Sequence, residues 1–251
     1  MFLLAVKLFG RELVYSGINK TYIMRILSFC VAVLLVSSTV QAQSNVQIRA
    51  GVNLANVSIN NDGNVDDANN LTSFQVGVLG DVHLASILHL QPGIFFTGKG
   101  SKLEIGRPTE NFYVKQTSNP FYIEVPVNLV VKLPFNDESH FFFRAGPYGA
   151  IGIAGKAKTD RKVLTFTSHT ENSIEFSNDD PTTFGEEEGT GLGVLKRFDY
   201  GLNGIAGVEG KRLVLSAGYG LGLAKLQSGV NSGEDNNNKH RVLSFAIGIK
   251  L

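Results

Sequence analysis

"FYIEVPVNLVVKL", Phe121–Leu133, alternates along its whole length. Phe121, Ile123, Val125, Val127, Leu129, Val131 and Leu133 fall on one face of an extended chain. Tyr122, Glu124, Pro126, Asn128, Val130 and Lys132 fall on the other. Successive strand side chains point to opposite faces, so a period of two predicts a β-strand with one strongly apolar face. "VQIRAGVNLANV" repeats the pattern: Val46, Ile48, Ala50, Val52 and Leu54 oppose Gln47, Arg49, Gly51 and Asn53. At the C-terminus Leu243, Phe245, Ile247, Ile249 and Leu251 oppose Ser244, Ala246, Gly248 and Lys250. No helical period of comparable length competes after residue 43, so the chain reads as all-β.

About eight such segments occur, at roughly 46–57, 71–84, 88–99, 120–133, 141–156, 197–209, 212–226 and 240–251. The connections alternate between long (58–70, 100–119, 157–196, 227–239) and short (85–87, 134–140, 210–211). Long loops at one end and tight turns at the other predict an eight-stranded antiparallel up-and-down transmembrane β-barrel. Each segment meets or exceeds the ~9–11 residues that a tilted strand needs to cross the hydrocarbon core. The rival is a soluble up-and-down barrel, with its apolar face turned inward and its polar face in water. The less apolar faces decide. Val214, Ser216, Gly218, Gly220, Gly222 and Ala224 form one; Asp199, Gly201, Asn203, Ile205, Gly207 and Glu209 form another. Small residues with scattered charges suit the crowded interior of a narrow barrel better than a solvated surface.

The start of the chain reads separately. In "MRILSFCVAVLLVSSTVQAQ", Arg25 is a short basic region, Ile26 to Val36 an apolar run, and Val40-Gln41-Ala42 a small-x-small cleavage signal. Residues 24–42 are therefore expected to be a secretory signal peptide, 1–23 a start-site artefact, and 43–251 the barrel. Cys30, the single cysteine, lies in the apolar run, which leaves no thiol in the exported chain. Residues 1–42 carry Lys7, Arg11, Lys20, Arg25 and Glu12, which leaves 19 basic residues against 21 acidic in the remainder. That balance gives no electrostatic footprint for nucleic acid.

One stretch invites a different reading. "GIFFTGKGS", Gly93–Ser101, nearly matches a phosphate-binding loop, with Gly100 where a hydroxyl residue belongs. Such a loop needs a following helix, and nothing after Ser101 has a helical period. The stretch reads instead as the outer end of the third strand. Lys99 and Lys102 are then expected to anchor it in water or lipid headgroups.

Several stretches together carry a resemblance: "GVNLANVS", "LQPGIFFTGKGSK", "FYIEVPVNLVVKL", "FFFRAGPYGAIGIAGK", "RFDYGLNGIAGVE", "LSAGYGLGLAKL" and "RVLSFAIGIKL". In order and spacing the chain resembles the PorT-like outer-membrane β-barrel family of Gram-negative bacteria. The resemblance implies a small eight-stranded outer-membrane barrel, in a group whose namesake is linked to protein secretion. Outer-membrane barrels commonly end in an aromatic residue, which the insertion machinery reads. Here the chain ends in Leu251, and Phe245 is the substitute.

The candidate site residues follow from the faces. Inward charges are expected at Arg49, Asp81, Glu124, Lys132, Arg144, Asp199, Glu209 and Lys250, with Arg49, Glu124, Arg144 and Asp199 as a polar network filling the lumen. Phe121, Tyr122, Phe198 and Tyr200 at the loop end, and Phe141 and Phe143 at the turn end, are expected to be interfacial aromatics. His83, His89, His140, His169 and His240 form no metal-binding pattern and read as solvated. His169, His240 and Asp235 are the only material for a rim-loop enzyme, and no catalytic, cofactor or metal site is expected. "NDGNVDD" (61–67) and "NDDPTTFGEEEG" (178–189) are acidic loops. Loop 157–196 carries β-like pieces that extend the fifth and sixth strands, and it is the expected contact for a protein partner. Membrane lipid and lipopolysaccharide are the other expected partners. The expected function is a scaffold displaying loops at the cell surface; a small-solute channel is the alternative.

Overall fold

The alternating segments fold as a period of two requires. The computed structural model describes residues 45–58, 70–177, 194–226 and 239–251. Its strands are β1 (Asn45–Ser58), β2 (Leu71–Ala85), β3 (Leu88–Gly98), β4 (Ser101–Ile105), β5 (Phe112–Asn136) and β6 (Ser139–Val163). They continue with β7 (Phe166–Ser173), β8 (Glu175–Phe176), β9 (Val194–Leu195), β10 (Phe198–Glu209), β11 (Leu213–Gly222) and β12 (Lys239–Lys250). Segments 1–23 and 24–42, both acidic loops and Asp235 lie outside the described residues.

Eight strands close a ring. β1 pairs β2, β2 pairs β3, β3 pairs β5 and β5 pairs β6. β6 pairs β10, then β10 pairs β11, β11 pairs β12, and β12 returns to β1, all antiparallel. This is the expected all-β, eight-stranded antiparallel up-and-down barrel. Closure satisfies every edge, as a bilayer demands of a spanning sheet.

The faces sort by parity. Val46, Ile48 and Val52 of β1, Val125, Val127 and Leu129 of β5, and Phe245, Ile247 and Ile249 of β12 are exposed on the outside. Between them Gln47, Arg49, Asn53, Asn128 and Lys132 are buried inside. So large an exposed apolar belt is a membrane surface rather than ordinary solvent-facing area. Phe141 and Phe143 mark its turn end, with Phe135 and Phe141 rings 4.5 Å apart. Exposed Phe198 and Tyr200 mark the loop end, with a cluster of Phe74, Phe96 and Phe121 whose rings lie 5.2–5.7 Å apart.

Two connections depart from expectation. Residues 100–119 read as a loop, yet they form β4, a turn through Gly106 (φ +78°), and the first part of β5. Loop 157–196 was expected to extend the fifth and sixth segments. The fifth is extended, as β6, and forms a hairpin with β7, but the second extended barrel strand is the fourth, as β5, while β10 begins only at Phe198. β5 and β6 are each 25 residues long, roughly 80 Å of strand at ~3.3 Å per residue, against an apolar band of ~25 Å. Their outer parts, with β4 and β7 alongside, form a four-stranded sheet that projects beyond the barrel. A strand outside the belt needs no apolar outer face, so the hydropathy contrast fades while the pairing continues.

Candidate functional site

Lys99 sits in the gap between β3 and β4, and its backbone N–H donates to the Pro120 carbonyl at 3.0 Å. That bond keeps the strand's register across the gap. Gln91, Phe95 and Thr97 of β3 face inward, and Lys99 continues their row. The chain is tightly packed on both sides, against backbone at Gly100 and against a side chain at Gly98. A Cβ at Gly98 would overlap the Ser73 hydroxyl, and one at Gly100 would overlap the Ser118 carbonyl.

Only 3% exposed, the Lys99 side chain reaches Glu124 at 2.6 Å and Asp199 at 2.9 Å. Its ammonium lies 3.9 Å from the centre of the Tyr148 ring, and the Tyr148 hydroxyl donates to Asp199 at 3.2 Å. Tyr122 and His240 complete the cluster, with His240 Nε2 3.3 Å from the Tyr122 hydroxyl. Above it, Phe176 packs edge-on against Tyr122 at 5.8 Å, and Val57, Ile174, Leu195 and Leu226 form an apolar cap. A buried charge persists only when paired and hydrogen-bonded, and Lys99 meets both conditions.

Three expectations are corrected here. Lys99 is no interfacial anchor but the centre of a buried ion cluster. Lys102 does lie toward the outside, paired with Glu104 at 2.9 Å. Tyr122 is no interfacial aromatic: it is fully buried in the lumen, because its even parity on β5 turns it inward. His240, expected in solvent, is 1% exposed on the inward face of β12.

The proposed network of Arg49, Glu124, Arg144 and Asp199 divides. Glu124 and Asp199 share Lys99. Arg49 donates to Gln47 at 2.9 Å and Arg144 to Gln91 at 3.0 Å, so the arginines rest on neutral amides. At the turn end Lys132 pairs with Asp81 and, at 3.0 Å, with Glu209, which also takes Lys250 at 2.9 Å. His89 contacts Asp81 at 2.9 Å. The lumen is thus stacked as an ion cluster, an arginine layer, a second ion cluster and an apolar cap. Sequence reasoning missed Lys99, yet alternation carried two residues beyond Thr97 finds it.

The projecting sheet has its own charge pattern. Along β6, Lys156, Lys158, Asp160 and Lys162 share a face, opposite Asn119, Thr117, Lys115 and Tyr113 of β5. An irregularity beside Phe121 and Tyr122 inserts Ile153 and reverses the parity of β6, which places the lysines on the side that continues the barrel's outer surface. Lys156 and Lys158 hold Glu171 at 2.5 and 2.9 Å, and these hydrogen bonds, led by Lys156, push its carboxyl down to about 2. His169 lies on this face, exposed and paired with Asp160. It shares no site with His240. Among the described residues no group of three His, Cys, Asp or Glu side chains converges on a metal position.

The family that the sequence matches agrees with this architecture. A family model described as outer membrane protein beta-barrel domain matches residues 41–228. No curated protein matches the chain. Similar solved structures include Ail, the attachment invasion locus protein of Yersinia pestis, in complex with the heparin analogue sucrose octasulfate. It is 14% identical, with 83% of this chain and 99% of that one covered and a TM-score of 0.39. Neisserial surface protein A is 12% identical over 83% and 97%, TM-score 0.39. The N-terminal β-barrel domain of Pseudomonas aeruginosa OprF is 7% identical over 83% and 100%, TM-score 0.31. With the family model spanning most of its length, the chain belongs to the outer membrane protein beta-barrel domain family.

Proposed function

We propose that this outer-membrane barrel is a scaffold that displays its projecting β4–β7 sheet to a partner at the cell surface. One observation carries the reading: the two longest strands run far past the apolar belt as an ordered sheet, above a lumen filled by ion pairs and an apolar cap. In this reading the sheet faces outside and both chain termini face the periplasm. Export runs through the signal peptide at 24–42. Outer-membrane lipid and lipopolysaccharide surround the belt, and the insertion machinery reads β12, where outward Phe245 supplies the aromatic contact. The partner surface extends beyond 157–196 to include β4 and the start of β5. Membership of the PorT-like group, and with it a role in a secretion or surface assembly, rests on the order of the short motifs. No catalytic step is assigned, since His169 and His240 occupy different faces and elements.

Planar-bilayer recording of the purified protein tests the proposal. A filled lumen gives no steady conductance. A stable ohmic current overturns the scaffold reading in favour of a small-solute channel, which the polar lining of the lumen would then serve.

A further inference from the structure

Neither arginine of the middle layer is hydrogen-bonded to a carboxylate among the described residues. The inward cations are Arg49, Lys99, Lys132, Arg144 and Lys250, and the inward carboxylates are Asp81, Glu124, Asp199 and Glu209. Every one of these carboxylates is engaged by a lysine, above or below the arginines. Arg49 and Arg144 are only 4% and 3% exposed, yet among the described residues each donates to a glutamine. Arg49 Nε and Arg144 Nε and Nη2 have no hydrogen-bond partner among the described residues. Both side chains line one cavity of about 50 Å³, whose wall also includes Asn53, Asn128 and the Lys99–Glu124 ion pair, in which the cation offsets the carboxylate.

We infer that this cavity is a binding site for one small monovalent inorganic anion, of the halide class, held between Arg49 and Arg144. Four considerations fix the class. A buried guanidinium with uncommitted N–H groups is stabilised most by an ionised acceptor. Among the described residues the lumen carries one more cation than carboxylates, so a single negative charge balances it. The volume admits about four water-sized groups, which accommodates a halide with two or three waters and excludes a bulky organic anion. The unpaired Asn53 and Asn128 side-chain oxygens accept from those waters rather than from the anion. This site goes beyond the scaffold proposal and holds whether or not the barrel displays a partner surface.

Two measurements on the folded, detergent-purified protein test it. The first follows the thermal midpoint of unfolding, read as loss of the compact gel form, in sodium chloride or bromide against sodium gluconate at equal ionic strength. Halide is expected to raise the midpoint by about 3 °C or more, saturating on titration. Arg144→Gln is expected to abolish the difference, and Arg161→Gln on the exposed projecting sheet to leave it intact. The second is bromide anomalous diffraction from wild-type crystals, with one peak expected between Arg49 and Arg144. It needs no variant to fold. Equal midpoints in halide and gluconate overturn the inference, as does a cavity without a bromide peak, which shows that water alone satisfies the arginines.

Discussion

The barrel and the sheet that projects from it are built from the same two strands, and their outward faces are chemically opposite. Within the barrel, β5 turns Val125, Val127 and Leu129 outward and keeps Asn128 and Lys132 inside. Past Phe121 the same outward row becomes Asn119, Thr117, Lys115 and Tyr113. On β6, outward Phe143, Ile151 and Ile153 give way to Lys156 and Lys158. β5 keeps β6 as its partner across the change, with one inserted residue, Ile153, at the boundary. What differs is the medium: hydrocarbon tolerates only apolar side chains, while water beyond it favours charge. Ion pairs therefore mean different things in the two regions. Inside the barrel they compensate charges withdrawn from water; on the sheet they are solvent-screened contacts worth little.

Substitutions that cross this boundary give the largest effects. Lys99→Ala strands Glu124 and Asp199 without their shared cation and is expected to cost ~3–5 kcal/mol. Lys115→Ala, 3.8 Å from Glu104 on the sheet, is expected to cost under ~1 kcal/mol. Urea titration of the folded protein in liposomes measures both, and equal costs would break the distinction. Next, Leu129→Arg places a charge on the lipid face of β5 and is expected to cost ~2–4 kcal/mol. Thr117→Arg, on the same outward row above the belt, is expected to stay within ~0.5 kcal/mol.

Smaller effects sharpen the contrast. Tyr122→Phe removes the hydroxyl beside His240 Nε2 in a fully buried place and is expected to cost about 1 kcal/mol. Tyr113→Phe loses an exposed contact to Glu104 and is expected to change the urea midpoint negligibly. The smallest effect concerns Glu171. Its folded pKa is depressed, so its contribution to the β6–β7 pairing is fully present above about 4.5 and is lost as the pH falls through about 2. A carboxyl NMR titration is expected to show a midpoint near 2 that rises in Lys156→Gln. A midpoint at the ordinary value of 4.5 contradicts the pairing.

Much of the barrel was legible because one medium imposes one rule. Alternation in Phe121–Leu133 assigns both faces of β5 correctly, and small residues with scattered charges mark the Asp199-to-Glu209 row as inward. Legibility failed where that rule lapses. Residues 100–119 lack an apolar outer face, so a paired hairpin looked like a loop. Lys99 and Tyr122 were assigned by residue type, a lysine to headgroups and a tyrosine to the interface, although their parity points inward. Which lysine meets which carboxylate depends on the stagger between strands, and that is set by the closure of the ring rather than by any local motif. The arginines' neutral partners, Gln47 and Gln91, were hidden for the same reason.

The central claim is that one continuous β5 passes from lipid to water at Phe121 without changing its own inward–outward alternation. A nitroxide scan along residues 113–133, with each position changed singly to cysteine in the exported chain, which has no cysteine of its own, tests it most directly. Odd positions from 121 to 133 are expected to collide with lipid-dissolved oxygen, odd positions from 113 to 119 with a water-soluble nickel reagent, and even positions from 122 to 132 with neither. Lipid contact at the even positions, or an irregular pattern below residue 120, contradicts the account.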